Sequence, residues 1–290
     1  MSHGDAGPVI AALRARSGFS ADAVAPERVA AYLAARAREL GVAHARDAAV
    51  RVLGDAGEYA LLEAHFSPPE TWLFRYRESF DHLREFARAR AARGVRALVV
   101  GAGGWCEPCS VAAALLDGAG AAGAARVSVE ASDRNGALFA RRPCFGGLEL
   151  RGGVPGFAER FFVREGDMLC AREALTCVVA ARARRVEDEI AAASRDGARF
   201  DVIAFRNAAI YLDQRLRAEI FAGLASLLAD GGTLLVGHAE TNLAAGATGL
   251  SPAPLAAAFA LVRGGPPRAD LSPRVIGSSN TARRDAPPSA

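Results

Sequence analysis

Apolar residues recur at three- and four-residue spacing through the first 64 positions of the chain. PVIAALRARSGF, from Pro8, and PERVAAYLAARARELG, from Pro26, each carry the stripe of a half-buried helix. The second opens on Pro and stops at Gly41, as helices do. Two shorter helices are predicted over 47–53 and 57–65. Ser67-Pro-Pro69 then forces extended chain, because each proline drives the residue before it out of the α region. A further amphipathic helix is predicted over 77–93, ending at Gly94.

Beyond Gly94 the pattern changes. ALVVGAG, from Ala97, is a continuous apolar run ending in glycines, which suits a parallel strand buried on both faces. SVAAALLDGAG is helical, and RVSVEASD is a second strand ending in Asp133. ARFDVIAFRN is a third strand, DQRLRAEIFAGLASLLADGG a helix closed by glycines, and GTLLVGHAE a fourth strand. Strands alternating with helices imply an α/β domain with a parallel sheet covered on both faces. ERFFVREGDMLC breaks the alternation: apolar strand, turn and apolar strand read as a hairpin in a small antiparallel insert at about 157–180.

The expected organisation is a helical domain over 1–66, a connector over 67–94 and an α/β domain over 95–265. The last stretch, 266–290, rich in Pro, Ser, Asp and Arg, reads as a disordered tail.

The 290 residues are 51% hydrophobic and 23% charged, ordinary for a globular protein. A net charge of +3 gives no global field of the kind that marks nucleic-acid binders. Every basic residue among the 35 is Arg, which looks like genomic base bias rather than a physical requirement. No apolar run is long enough to span a bilayer, and MSHGDAGPVI lacks the form of a signal peptide, so a cytoplasmic location is expected. The five cysteines are an odd number in a long chain, unlike a secreted disulfide framework.

In open α/β sheets, ligands bind beyond the carboxyl ends of the strands. Those ends here offer Gly101–Glu107, Asp133 and Asn207–Tyr211. Asp133 is placed to accept the hydroxyls of a ribose, a pattern shared by dinucleotide and S-adenosylmethionine sites. The stretch GAGGWCEPCS, from Gly101, admits two readings: a glycine turn before a nucleotide-binding helix, or, through Trp-Cys-x-Pro-Cys, a thioredoxin-like redox site. No Val/Thr-Pro partner turn for the second lies where it is expected. The five histidines are scattered, so no metal site is expected, and no Gly-x-Ser-x-Gly elbow anchors a hydrolase.

Several ordered motifs together resemble the bacterial chemotaxis receptor methyltransferases of the CheR type. Glu70-Thr-Trp-Leu-Phe-Arg75 is similar to that family's Glu-Thr-x-Phe-Phe-Arg, and Glu107-Pro-Cys-Ser110 to its Glu-Pro-Tyr-Ser helix start. Ala131-Ser-Asp133 resembles Ala-Thr-Asp. The run from Phe200 to Asp213 resembles Phe-Asp-x-Ile-x-x-Arg-Asn-Val-x-Ile-Tyr-Phe-Asp, and Gly237-His-Ala-Glu240 resembles Gly-His-Ser-Glu.

The resemblance spans about 8–263. It implies a Rossmann-like class I methyltransferase fold and S-adenosylmethionine as cofactor. It also implies methyl-ester formation on glutamates in the cytoplasmic region of a chemoreceptor-like protein. By the same resemblance Thr71, Arg75, Gly101, Glu107, Asp133, Val186, Asn207 and Ala208 bind the cofactor. Arg75 also meets the incoming carboxylate, and Tyr211 lies near the sulfonium.

Three departures favour an alternative, a degenerate, non-catalytic binding module. Trp105 stands in the glycine loop where a small residue is expected, poised to narrow the pocket or to turn outward. Pro69 replaces an Asn, and Arg185-Val-Glu187 stands where Asn-Leu-Leu holds the adenine. A rival alignment sets Gly166-Asp167-Met168 at the adenine instead.

Overall fold

The computed structural model describes residues 6–67 and 70–264. The tail expected over 266–290, the first five residues and Pro69 lie outside the described residues.

Four helices come first: α1 (Gly7–Ser17), α2 (Pro26–Leu40), α3 (Ala45–Gly54) and α4 (Ala56–Phe66). Val9, Leu13, Val29, Leu33, Val52, Leu62 and Phe66 fall on their inward stripes and share one core. The turn after α1 joins this bundle to the rest of the chain. Gly18 there has φ +70°, and a Cβ on it would meet Leu216 Cδ2 at 2.1 Å, so the position takes no side chain. Phe19 bridges Leu212 antiparallel. On either side Ser20 N donates to Tyr211 O at 2.9 Å, and Asp213 N to Gly18 O at 2.8 Å.

Helix α5 (Arg77–Arg88) stops five residues short of the expected 93. The chain then turns, and Arg90 stacks on Phe86 at 3.7 Å and donates to Gly231 O at 2.6 Å. Beyond it β1 (Val95–Val100), α6 (Cys106–Ala124) and β2 (Val127–Asp133) match the first expected strand, helix and strand. The core of α6 is buried on every side, Val111 to Leu116 without exception, because the sheet and α5 enclose it.

An insert follows, carrying β3 (Cys144–Phe145), β4 (Phe162–Glu165) and β5 (Met168–Ala171). The expected hairpin is β4 against β5. It gains a third strand in β3, whose Cys144 lies opposite Cys170 and is disulfide-bonded to it.

The chain returns through a short helix, α7 (Glu173–Thr176), and continues β6 (Val179–Ala183), α8 (Val186–Arg195), β7 (Phe200–Phe205) and α9 (Gln214–Ser226). It ends β8 (Leu228–Val236), α10 (Thr241–Thr248), β9 (Ser251–Pro252) and β10 (Ala260–Val262). Seven strands form the main sheet in the order β6-β2-β1-β7-β8-β10-β9. The pairs from β6 to β8 are parallel and the last two antiparallel, so the fold is the α/β, Rossmann-like class expected. Of the three strands in this sheet that the periodicity passes over, β9 and β10 are two and three residues long, and β6 is an alanine-rich edge. Strand order reverses between β1 and β7, which opens a crevice at their carboxyl ends.

Candidate active site

A cleft of about 340 Å³ occupies that crevice. Its floor is the carboxyl end of β1, β2, β6 and β7, and its roof is the segment 70–75 with Phe19, Ala60 and Glu63 of the helical domain. Thr71, Arg75, Gly101, Glu107, Asp133, Val186, Asn207, Ala208 and Tyr211 all line it. The topology thus gathers residues separated by up to 140 positions in sequence.

The glycine loop is shaped by Asp133. Gly103, at φ +63°, points its N–H at Asp133 Oδ2 at 2.9 Å, while Oδ1 accepts from Asn135 N at 2.9 Å. A residue with a Cβ is strained in that conformation, and the Asp133 side chain is what holds it.

Trp105 turns away from the cleft. Its Nε1 donates to Arg141 O at 2.9 Å, and its ring meets Phe139 edge-on at 5.3 Å. Of the two expectations for this residue, the outward one describes the structure.

The opening turn of α6 carries Glu107, which is 8% exposed. Its Oε1 accepts from Arg206 Nη1 at 2.6 Å, and Oε2 makes no hydrogen bond among the described residues. Cys106 and Cys109 of the same turn are buried, free thiols rather than a disulfide. Burial pushes the Cys109 thiol up to about 12 and the Cys106 thiol up as well, with Glu149 nearby adding to the latter. A redox cysteine needs the opposite, exposure and a lowered pKa, so the thioredoxin-like reading is corrected.

Arg75 sits at the mouth. It stacks 4.3 Å from the Trp72 ring and donates to Glu70 O at 2.7 Å, and its Nε is buried without a partner. Asn207, just beyond β7, takes φ +58°, a left-handed conformation that Asn tolerates better than most residues. Its Nδ2 donates to Tyr76 Oη at 3.3 Å, and its Oδ1 is buried and unpartnered.

Glu240 fixes the backbone of the segment that follows. It is fully buried and accepts from Gly237 N at 2.7 Å, Asn207 N at 2.8 Å and Ile210 N at 3.3 Å. Burial raises its carboxyl above the ordinary range, against the pull of these N–H groups. At the far end, Tyr211 packs against the helical domain's core.

Arg185 precedes α8 and pairs with Glu187 at 3.0 Å, which leaves Val186 between them on the cleft wall. Gly166 and Asp167 form the β4–β5 turn and do not line the cleft, so the rival placement of the adenine is not supported. Among the described residues the Cys144 and Cys170 sulfurs and the Glu165 carboxylate lie within 4.8 Å of one another, but the two sulfurs are bonded together.

The sequence pattern did not assign Arg206, Glu240 or Tyr76. Arg206 and Glu240 stand inside family-like motifs, and for Arg206 a charged residue directly after an apolar strand was the available signal. Tyr76, at φ +60°, had none.

A family model described as "CheR methyltransferase, SAM binding domain" matches residues 69–248, more than half of the chain. The chain belongs to the CheR methyltransferase family.

Among curated relatives it is similar to the probable biofilm formation methyltransferase WspC of Pseudomonas putida, at 34% identity over 279 residues. That alignment covers 94% of this chain and 64% of the relative. The WspC of Pseudomonas aeruginosa is 30% identical over 242 residues, 80% of this chain and 56% of the relative. The chain therefore spans less than two thirds of the length of these relatives. Among solved structures, magnesium protoporphyrin IX methyltransferase from Synechocystis with bound S-adenosylmethionine aligns over 64% of this chain and 78% of its own. It does so at 14% identity with a TM-score of 0.34.

The CheR-family cofactor is S-adenosylmethionine, and the donor set of the cleft suits it. Asp133 has lone pairs left for a ribose diol, and the free Oε2 of Glu107 and the unpartnered Asn207 Oδ1 are acceptors for an ammonium. Arg75 matches a carboxylate, and Val186, Leu138 and Ala208 offer apolar wall to an adenine.

Proposed function

We propose that the protein is a protein-glutamate O-methyltransferase, forming methyl esters on glutamate side chains in the cytoplasmic region of a chemoreceptor-like protein. The observation that carries this reading is Arg75: a guanidinium at the mouth of a cofactor cleft, held by stacking and one carbonyl, with Nε still to be paired. Such a group receives a carboxylate in the plane of its N–H fork.

S-adenosylmethionine, when bound, supplies a methyl group already activated on a sulfonium. The protein's part is then alignment. A glutamate is ionised near neutral pH, so no side chain is needed as a general base. Arg75 orients the carboxylate, and the cleft excludes water around it. The Tyr211 ring offers a face that tolerates a neighbouring positive charge. Thr71, Glu107 and Asn207 hold the methionine end, Asp133 and Gly101 the ribose side, and Val186 and Ala208 the adenine.

The outward turn of Trp105 removes one of the three arguments for a degenerate, non-catalytic module. A cytoplasmic site of action belongs to the same proposal. Among the described residues no helix is long and apolar enough to cross a membrane.

Methyl esters on carboxylates release methanol in mild alkali, whereas N-methyl groups do not. Incubation with methyl-labelled S-adenosylmethionine and a chemoreceptor cytoplasmic fragment is expected to give protein-bound label that becomes volatile in base. Label that resists base, or no transfer to any receptor fragment, would refute the proposal.

A further inference from the structure

Arg206 is buried where a charge is expensive. Its side chain is 1% exposed, and it lies between the end of β7, the first turn of α6 and the segment that opens α5. Nη1 donates to Glu107 Oε1 at 2.6 Å, from the first turn of α6. Nη2 donates to the backbone carbonyl of Arg75, just ahead of α5. The rings of Tyr76 and Phe80 lie 5.2 and 5.3 Å from its guanidinium carbon, and Nε has no partner.

Stability alone does not account for such an arrangement, since well-packed apolar side chains commonly serve a fold as well as a buried ion pair. What the pair does accomplish is geometric. It occupies one oxygen of Glu107 and leaves the other free, and it pins the main chain from which the Arg75 side chain departs. A lysine in its place offers a point charge and no planar fork, so it cannot serve both partners in the same geometry.

We propose that Arg206 is a positioning residue. Its guanidinium keeps Glu107 oriented toward the methionine end of the cofactor and, through the Arg75 carbonyl, fixes the guanidinium that receives the substrate carboxylate. The second half of this inference rests on the proposed glutamate methylation; the first half rests only on cofactor binding.

The test is a double-mutant cycle read by calorimetric titration of S-adenosylhomocysteine, with the thermal melt of each ligand-free protein as control. Arg206→Met is expected to weaken S-adenosylhomocysteine about thirtyfold, and Glu107→Gln by a similar factor. Arg206→Met/Glu107→Gln is expected to be no weaker than the worse single variant, because each substitution disables the same contact. Arg206→Lys is expected to recover most of the affinity yet lose about tenfold in kcat with receptor substrate.

Affinity in Arg206→Met within twofold of wild type, or fully additive single effects, would overturn the proposal. Should Arg206→Met fail to fold, the neutral double variant decides: folded with wild-type affinity, it reduces Arg206 to a structural role and overturns the proposal. Should that variant also fail to fold, Arg206→Lys decides, and an unchanged kcat overturns it. Intact coupling in the titrations alongside no ester formation in wild type would instead refute the glutamate reading alone.

Discussion

Asp133→Asn is the substitution whose effect the cleft geometry defines most closely. The carboxylate holds two backbone N–H groups, Gly103 through Oδ2 and Asn135 through Oδ1, both at 2.9 Å. An amide keeps one oxygen. The local bond to Asn135, two residues on, is the type of turn that Asn side chains make readily, so the oxygen stays there.

The NH2 group then faces the Gly103 N–H, donor against donor, and the glycine loop loses its anchor. A hydrogen bond to a charged acceptor contributes about 1.5–3 kcal/mol, and Asp133 is only partly buried, so the expected loss of stability is about 1.5 kcal/mol. In a domain of this size that lowers Tm by about 3 °C.

Cofactor binding suffers more, because the same change replaces a charged diol acceptor by a neutral amide with one acceptor oxygen and loosens the loop beneath it. About 2.5 kcal/mol, some seventyfold in Kd, is the expected outcome by titration of S-adenosylhomocysteine. An affinity within threefold of wild type, with the protein folded, would show that Asp133 does not meet the ribose and that its role ends at Gly103.

The remaining predictions concern the thiols, the insert, the loop after β7 and Arg75. Buried, with raised pKa values, the Cys106 and Cys109 thiols stay protonated near neutral pH. A maleimide at pH 7.5 (about one unit below an ordinary thiol's pKa) is therefore expected to label Cys177 alone in the folded, oxidised protein, by mass spectrometry; labelling at Cys106 would contradict the burial. The Cys144–Cys170 disulfide closes a loop of sequence separation 26 and contributes about 3.5 kcal/mol on the chain-entropy model, so Cys144→Ala/Cys170→Ala is expected to melt about 7 °C lower. An unchanged Tm would contradict it. Glu240→Ala strips the acceptor from the N–H groups of Gly237, Asn207 and Ile210 and is expected to cost about 3 kcal/mol in denaturant unfolding; a loss under 1 kcal/mol would show that water replaces the carboxylate. Arg75→Ala is expected to lower kcat/KM for receptor methylation at least about a hundredfold, and equal activity would remove the residue from the site.

Much of this fold follows from local pattern. The stripes of α2 and α5, the apolar runs of β1 and β7 and the Gly-Asp turn of the β4–β5 hairpin each announce an element in a dozen residues. Strand β6 did not, because Ala-Ala-Arg-Ala on a sheet edge lacks both β-branching and alternation. Strand β3 is two residues long and exists through its partner β5 and the disulfide, neither of which is near it in sequence. At the site, residues at strand ends were legible because the parallel sheet fixes where ligands bind. Arg206 and Glu240 were not, since their work depends on contacts 99 and 33 positions away. Trp105 shows the converse: its bulk admitted a narrowed cleft or an outward turn, and only the position of Arg141 and Phe139 explains why it turns outward.

The central claim is that the crevice between β1 and β7 binds S-adenosylmethionine through the residues assembled there. Calorimetric titration of the purified protein with the product, S-adenosylhomocysteine, tests it most directly. Saturable, one-site binding at micromolar strength, about −8 kcal/mol, is expected. No heat and no thermal shift at millimolar ligand would contradict it.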